Sequence, residues 1–479
     1  MLGLGSLGTA VLLAGLVIVV IVVALTNLFG GLIAALPVAG LLLMVVIRDK
    51  HGLNAGDKIG ERIGWVRQRS RREHVYRSGP LGRTPWGTFQ LPGLAASTRL
   101  SQFEDSYGRP FALVEVPTKN TFCVVLGCDP DGSALVDQEQ IDAWVAHWGI
   151  WLSQLADEAG LEAASVTIET APDTGSRLRR EVLSNVDDQA PDFARAVMAE
   201  AVDRYPSGSS TISAYVALTF RATSRTGSRR RQAEEMGRDL ASRLPGITGS
   251  LAGTGAGAVR LVAADELCEL IRVAFDPSAA ALIDRAHADG EPVDLRWSDV
   301  GPAAHQASWG TYRHDAAVSV TWSMTSAPRG QVQSQILERL LRPSGDITRK
   351  RVTLLYRPID AAAAAALVET DVRAANFNLT NSNRPSARAV LDRRAAEQTA
   401  SEEASGAGLV NFGMLVTATV TNEDQLPDAV ATVESLGATA RLRLRRAFGA
   451  QDVAFAACLP LGLMLERYLA VPSQVRSRL

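Results

Sequence analysis

The chain has 479 residues, 47% of them hydrophobic and 21% charged, with a formal net charge of −2. So balanced a charge excludes a global basic field of the kind that draws in nucleic acid. Four scattered cysteines, Cys123, Cys128, Cys268 and Cys458, form no Cys-x-x-Cys pair and read as small buried hydrophobes in a reducing compartment.

Met1 to Ile47 contains no Asp, Glu, Lys, Arg or His. Two apolar runs, Leu7 to Ala24 and Leu32 to Ile47, flank a break at Thr26, Asn27, Gly30 and Gly31, with Pro37 inside the second run. Such runs predict a transmembrane two-helix hairpin, because a bilayer core requires every backbone group to be paired within the segment. A signal peptide is not expected, since the basic start and the small-residue cleavage site are missing.

Arg48, Lys50 and Lys58 follow, then Arg62, Arg67, Arg69, Arg71, Arg72 and Arg77. Lys/Arg excess beside an apolar segment marks the cytoplasmic side, so both termini are expected to be cytoplasmic at a bacterial inner membrane. The same arginines are candidate contacts for anionic lipid or for a partner. Residues 51–102 are read as a basic juxtamembrane helix, with Ile59, Ile63 and Val66 on one face, leading into a turn-rich linker that holds Gly79-Pro80, Pro85, Gly87 and Pro92-Gly93.

Strand-like and helix-like runs then alternate. Phe111 to Val116 and Thr121 to Leu126 predict a hairpin, and Gln138 to Ala159 a helix with Trp144, Trp148 and Trp151 on its core-facing stripe. Strands are expected over Ser165 to Glu169 and Thr211 to Thr223. Helices are expected over Asp192 to Arg204, over Arg229 to Leu244 with arginine at its start, and over Ala264 to Phe275. Residues 276–310 read as a linker.

The order of elements then recurs. Ala316 to Thr325, Lys350 to Tyr356 and Phe412 to Thr421 are expected strands. Val332 to Leu341, an Ala-rich stretch after Asp360, Pro385 to Gly406 and Glu423 to Arg446 are expected helices. The fold class that follows is α+β: the transmembrane hairpin (1–50), then two ferredoxin-like α+β modules over 103–275 and 311–479. Residue identity between the modules does not establish a repeat.

Chemical motifs are sparse. Gly253-Thr-Gly-Ala-Gly-Ala has no Lys and lacks the spacing of a phosphate or dinucleotide loop. The six histidines hold no His-x-x-x-His pair, and His147 reads as a core-margin residue. His314-Asp315 is not credited as a general-base pair, because neighbours on a strand point to opposite faces. Glu402-Glu403 reads as a solvated helix face. Arg229-Arg230-Arg231 is a basic patch suited to an acidic partner. No catalytic, cofactor-binding or metal-ligating residue is assigned, and the expectation is a protein without enzymatic activity.

Several stretches carry a resemblance: Tyr76-Arg-Ser-Gly-Pro-Leu-Gly, Gln90-Leu-Pro-Gly-Leu, Arg349-Lys-Arg-Val-Thr-Leu-Leu-Tyr-Arg-Pro, Glu402-Glu-Ala-Ser-Gly-Ala-Gly and Gln451-Asp-Val-Ala-Phe-Ala-Ala-Cys-Leu-Pro-Leu-Gly. With the hairpin, they make the chain similar to actinobacterial membrane proteins of conjugative, type IV secretion-like systems. In these a hairpin subunit is joined to a region like the N-terminal, non-motor part of the conjugation ATPase. The resemblance implies a non-enzymatic structural component that docks a separate motor ATPase. Implied partners are the bilayer, that ATPase, other membrane components of the machine and further copies of the chain.

Two other readings compete. One is a type VII secretion membrane component of the EccE kind; the other, of a different class, is a membrane-tethered enzyme, which would need an acidic metal motif. Direct DNA binding through the two arginine groups would show steep salt dependence.

Overall fold

The computed structural model describes residues 5–47, 49–82, 88–130, 132, 136–173, 182, 185–187, 189–204, 210–223, 229–328, 332–380 and 386–468. Arg48, Pro85 and Gly87 lie outside them.

Two helices, α1 (Gly5–Leu25) and α2 (Leu28–Val46), pack against each other. Asn27 Oδ1 accepts from the Gly30 N–H at 2.8 Å and starts the second. A Cβ on Gly15 would fall 2.2 Å from a Val38 methyl, so glycine sets the closeness of the pair. Among the described residues no helix is long and apolar enough to cross a membrane, which corrects the expected transmembrane hairpin.

Helix α3 (Ala55–Ser70) opens on a reciprocal capping box between Asn54 and Asp57. The chain continues as β1 (Val75–Arg77), β2 (Arg99–Glu104), β3 (Pro110–Val116), β4 (Thr121–Asp129), α4 (Gln138–Gln154), β5 (Leu161–Pro172), α5 (Asp192–Arg204) and β6 (Ser210–Arg221). Then come α6 (Ala233–Ser250), β7 (Ala258–Leu261), α7 (Ala264–Phe275) and α8 (Ala279–Asp289). The remainder is β8 (Ala304–Ala307), β9 (Tyr312–His314), β10 (Ala317–Ser326), α9 (Glu338–Leu341), β11 (Arg349–Pro358), α10 (Ala361–Thr380), α11 (Ala387–Ala404), β12 (Val410–Val420), α12 (Leu426–Thr439), β13 (Arg443–Arg446) and α13 (Gln451–Ala457).

In place of two ferredoxin-like modules on separate sheets there is one sheet of 13 strands, ordered β1-β8-β9-β10-β12-β11-β5-β6-β4-β3-β2, with β13 beside β10 and β7 beside β4. All its ladders are antiparallel. The physical reason for the merger is edge pairing. Strands β5 and β11 would each expose a row of unpaired backbone groups, and each fills the other's open side from Lys350↔Thr170 to Tyr356↔Ala164.

The sheet is a topological repeat. The order β2-β3-β4-β6-β5 with β7 beside β4 matches β8-β9-β10-β12-β11 with β13 beside β10, element for element. Each half then adds a helix, α7 or α13. Between its last two long strands the first half inserts α5, and the second inserts the α10–α11 hairpin.

One face of the sheet is apolar and covered by α4 and α6 in the first half and by α9 and α12 in the second. The other face packs on α7, α13 and Leu91 to Ala95. Ala112 and Val114 of β3 share that cluster with Ala307 of β8 and Tyr312 of β9, although six strands separate β3 from β9 in the order. The sheet therefore curls around α7 and α13.

Three local expectations change. The helix expected from Arg229 begins at Ala233, and Arg230 instead bridges Thr223 in extended backbone. The helix expected over Glu423 to Arg446 ends at Thr439; Arg441 turns at φ +55, and the chain returns as β13. Within 276–310 lie α8 and β8, and β8 joins the sheet.

Candidate interaction surfaces

Where β5 meets β11, the face toward α13 is polar and buried. Thr167 and Thr353 hydroxyls lie 3.1 Å apart, and both point at the Cys458 carbonyl, at 3.5 and 3.3 Å. Thr321 pairs with Thr417 at 2.8 Å and Ser319 with Thr419 at 2.7 Å. Cross-strand hydroxyl pairs of this kind satisfy one another without water. Glu169 of β5 meets Arg349 Nε at 2.9 Å and an Arg351 nitrogen at 3.1 Å. Burial opposes the charge on Glu169, but the two guanidiniums, Arg351 above all, outweigh it and hold the carboxyl at about 2. Arg351, 2% exposed, also lies over the Phe455 ring at 5.4 Å.

Gln451 anchors α13. Its carboxamide accepts from the Thr321 N–H at 2.8 Å and donates to the Thr321 carbonyl at 3.1 Å. Beyond α13, residues 458–468 run as a strap from the second half to the first. Gly462 passes over β4 with φ +66, where a Cβ would sit 2.6 Å from Cys123 Cβ. The strap is pinned by Arg467 to Glu162, Glu466 to Arg357, and Lys119 Nζ to the Arg467 carbonyl at 2.6 Å. Beside it opens a cleft of about 700 Å³, lined among others by Leu161, Ser165, Leu355, Arg357, Phe412 and Leu463.

Helix α3 is docked on the body by one face. Glu61 takes a bidentate pair from Arg445 at 2.8 and 2.6 Å, and Gln68 Nε2 donates to Asp452 at 3.3 Å. Trp65 meets Trp309 and His74 edge-on, each at 6.1 Å. Arg62 lies over the Trp309 ring at 4.5 Å. Neither Glu61 nor Trp65 stood out in the sequence; the signal was the spacing of Glu61, Trp65 and Gln68 opposite Ile59, Ile63 and Val66.

The candidate arginines fall into two unlike groups. Arg62, Arg67 and Arg69 project from α3, Arg71 and Arg72 lie in the turn after it, and Arg77 is in β1. Arg71 faces Glu73 at 3.7 Å. Among the described residues no carboxylate lies within ion-pair distance of Arg62, Arg67, Arg69, Arg72 or Arg77. Arg229, Arg230 and Arg231 are by contrast paired, with Glu235 at 3.1 Å, Glu115 at 2.5 Å and Asp239 at 3.1 Å. The two groups attach to opposite halves of the repeat.

His314 is fully buried. Its Nδ1 donates to the Phe275 carbonyl at 2.5 Å, which leaves Nε2 to accept from Ser319 Oγ at 2.7 Å. Burial lowers His314 to about 3 and His305 to about 4, so both are neutral structural rings. The Gly253 loop joins a helix to a strand, the reverse of a phosphate loop, and Gly255, at φ +78, lies against Trp144. Burial raises the Cys123 thiol to about 12 and Cys458 to about 11. Among the described residues no cluster of His, Cys, Asp or Glu has a geometry that could hold a metal ion.

Residues 1–57 match the model of a domain of unknown function, DUF8461. No curated protein matches the chain.

Proposed function

We propose that the protein is a non-enzymatic, membrane-associated component of a bacterial conjugative or type IV secretion-like machine, working as a platform on which a separate motor ATPase docks. The observation that carries this reading is the pair of exposed helical insertions at equivalent points of the repeat. On α10 and α11, Leu367, Phe377 and Leu391 are 41%, 57% and 62% exposed, and on α5 Phe193 is 81% exposed. Exposed apolar side chains on projecting helices fit contact with a partner better than chemistry on a substrate. The sequence resemblance supports the same reading: its stretches Arg349 to Pro358 and Gln451 to Gly462 form the β5–β11 junction and the strap.

The test is co-purification from cells. Because Pro358 pairs with Val410, the α10–α11 arm can be replaced by a short turn without moving either strand. The full chain should recover a P-loop ATPase, and the armless variant should lose it while giving up only the helical signal of the removed residues and keeping a single cooperative melting transition. Equal recovery without the arm, or recovery of type VII core components instead, would overturn the proposal.

A further inference from the structure

We infer that α3 is a docking helix for an anionic lipid surface, which it meets with Ile59, Ile63 and Val66 framed by Arg67 and Arg69. This goes beyond the proposed platform role and needs no motor.

The first ground is orientation. At about 100° per residue, Glu61, Trp65 and Gln68 occupy one arc of roughly 60°, and Ile59, Ile63 and Val66 occupy another almost opposite to it. The first arc is fixed to the body by Arg445, Trp309 and Asp452. The second is consequently held outward, with Ile59, Ile63 and Val66 43%, 62% and 63% exposed. An apolar stripe pointing away from a docked helix has no packing role within the chain.

The second ground is charge. Arg67 flanks the stripe on one side and Arg69 on the other, while Arg62, next to Arg69, is held over the Trp309 ring. No carboxylate among the described residues neutralises them, whereas the Arg229 to Arg231 group is paired residue by residue. An apolar wedge between unpaired arginines is the pattern of a helix lying in a headgroup layer, its aliphatic side chains among the acyl chains and its guanidiniums on phosphates. A second copy of α3 would bring like charges together along both flanks; anionic headgroups would neutralise them.

The experiment uses the full chain with Ile63→Cys carrying a polarity-sensitive fluorophore. The four native cysteines are buried, so labelling is confined to the new site. Phe193→Cys on α5 is the control. Vesicles of equal parts phosphatidylcholine and phosphatidylglycerol should blue-shift the label at 63 but not at 193, and phosphatidylcholine alone should leave both unchanged. Arg67→Ala and Arg69→Ala should each raise the lipid concentration needed by about five-fold. Val66→Cys gives the same readout independently of Ile63. An equal shift on neutral vesicles, no shift on either, or a shift that grows with protein concentration without lipid would overturn the inference. None of these outcomes touches recovery of the motor, so the two proposals fail separately.

Discussion

Thr167 and Thr353 meet at the middle register pair of the β5–β11 ladder, hydroxyl to hydroxyl, beneath the Cys458 carbonyl. The two strands that carry them are the equivalent edge strands of the two halves, and one late segment of chain caps both. Replacing either by Val should cost about 1 kcal/mol, and the double variant less than the sum, because one hydroxyl donates to the Cys458 carbonyl and the other either shares that acceptor or donates to its neighbour. A double-mutant cycle in urea checks this; strict additivity would show that the pair is uncoupled.

Glu169 holds two arginines. Its replacement by Leu strands Arg351 in the interior and should destabilise by about 3–5 kcal/mol, whereas adding Arg351→Met should recover most of the loss. Chemical denaturation of the single and double variants distinguishes this from simple overpacking, which the second change would not relieve.

Stability should decline with acid in two stages. His305 and His314 are depressed to about 4 and about 3 from 6.5, so the unfolded chain takes up their protons first. Their contribution is complete above about pH 6.5 and is lost as pH falls toward 3–4, with a slope approaching 2.7 kcal/mol per pH unit near pH 5. Glu169, depressed from 4.5 to about 2, adds a further loss below pH 4.5. Asp452 and Asp315, raised by burial, act in the opposite sense above the ordinary carboxylate range. The measurement is therefore the difference in melting temperature between the natural chain and His314→Gln from pH 7 to pH 4, which should narrow as pH falls.

Gly462 lies where neither backbone nor space admits a side chain. Gly462→Ala should cost about 3 kcal/mol from left-handed strain and from contact with Cys123 and Thr219. Hydrogen exchange should show 458–468 released ahead of β4. Uniform exchange across the body would refute a local role for the strap.

Arg445→Ala should free α3 without melting the sheet. Exchange protection over 55–70 should fall by about 1–2 kcal/mol while the global transition moves little. A proteolytic cut near Gly64 appearing only in the variant would report the same event.

The sequence showed local elements better than their assembly. The helix at Asp192 to Arg204 and the hairpin at Phe111 to Leu126 are where periodicity put them, because each is decided by neighbours a few residues apart. The union of the halves into one sheet was not legible. A strand at the centre of a sheet is expected to be apolar on both faces, yet β5 and β11 carry Thr167, Glu169, Arg351 and Thr353 on one of them. In the fold they are buried against α13, the two threonines beside each other and Glu169 beside Arg349 and Arg351. Arg229 and Arg231 are neutralised by Glu235 and Asp239 close by in sequence and Arg230 by the remote Glu115, while Glu61, which fixes α3, is unremarkable in the sequence. Leu442 and Leu444 prolonged a helical spacing that the turn at Arg441 breaks.

The strap also bears on how the chain is made. Gly462 rests on Cys123, and Phe455 joins a cluster with Ala112 and Val114, so the first half cannot finish its second layer until residues more than 300 positions later leave the ribosome. At ordinary elongation rates that interval is roughly 20–70 s. Over that time β3 and β4 lack part of their covering layer, and the edge of β5 stays open for the roughly 180 residues that separate it from β11, about 10–40 s. A nascent first half is thus a natural client for chaperones, and its own sister strand, β11, is the partner that finally relieves it.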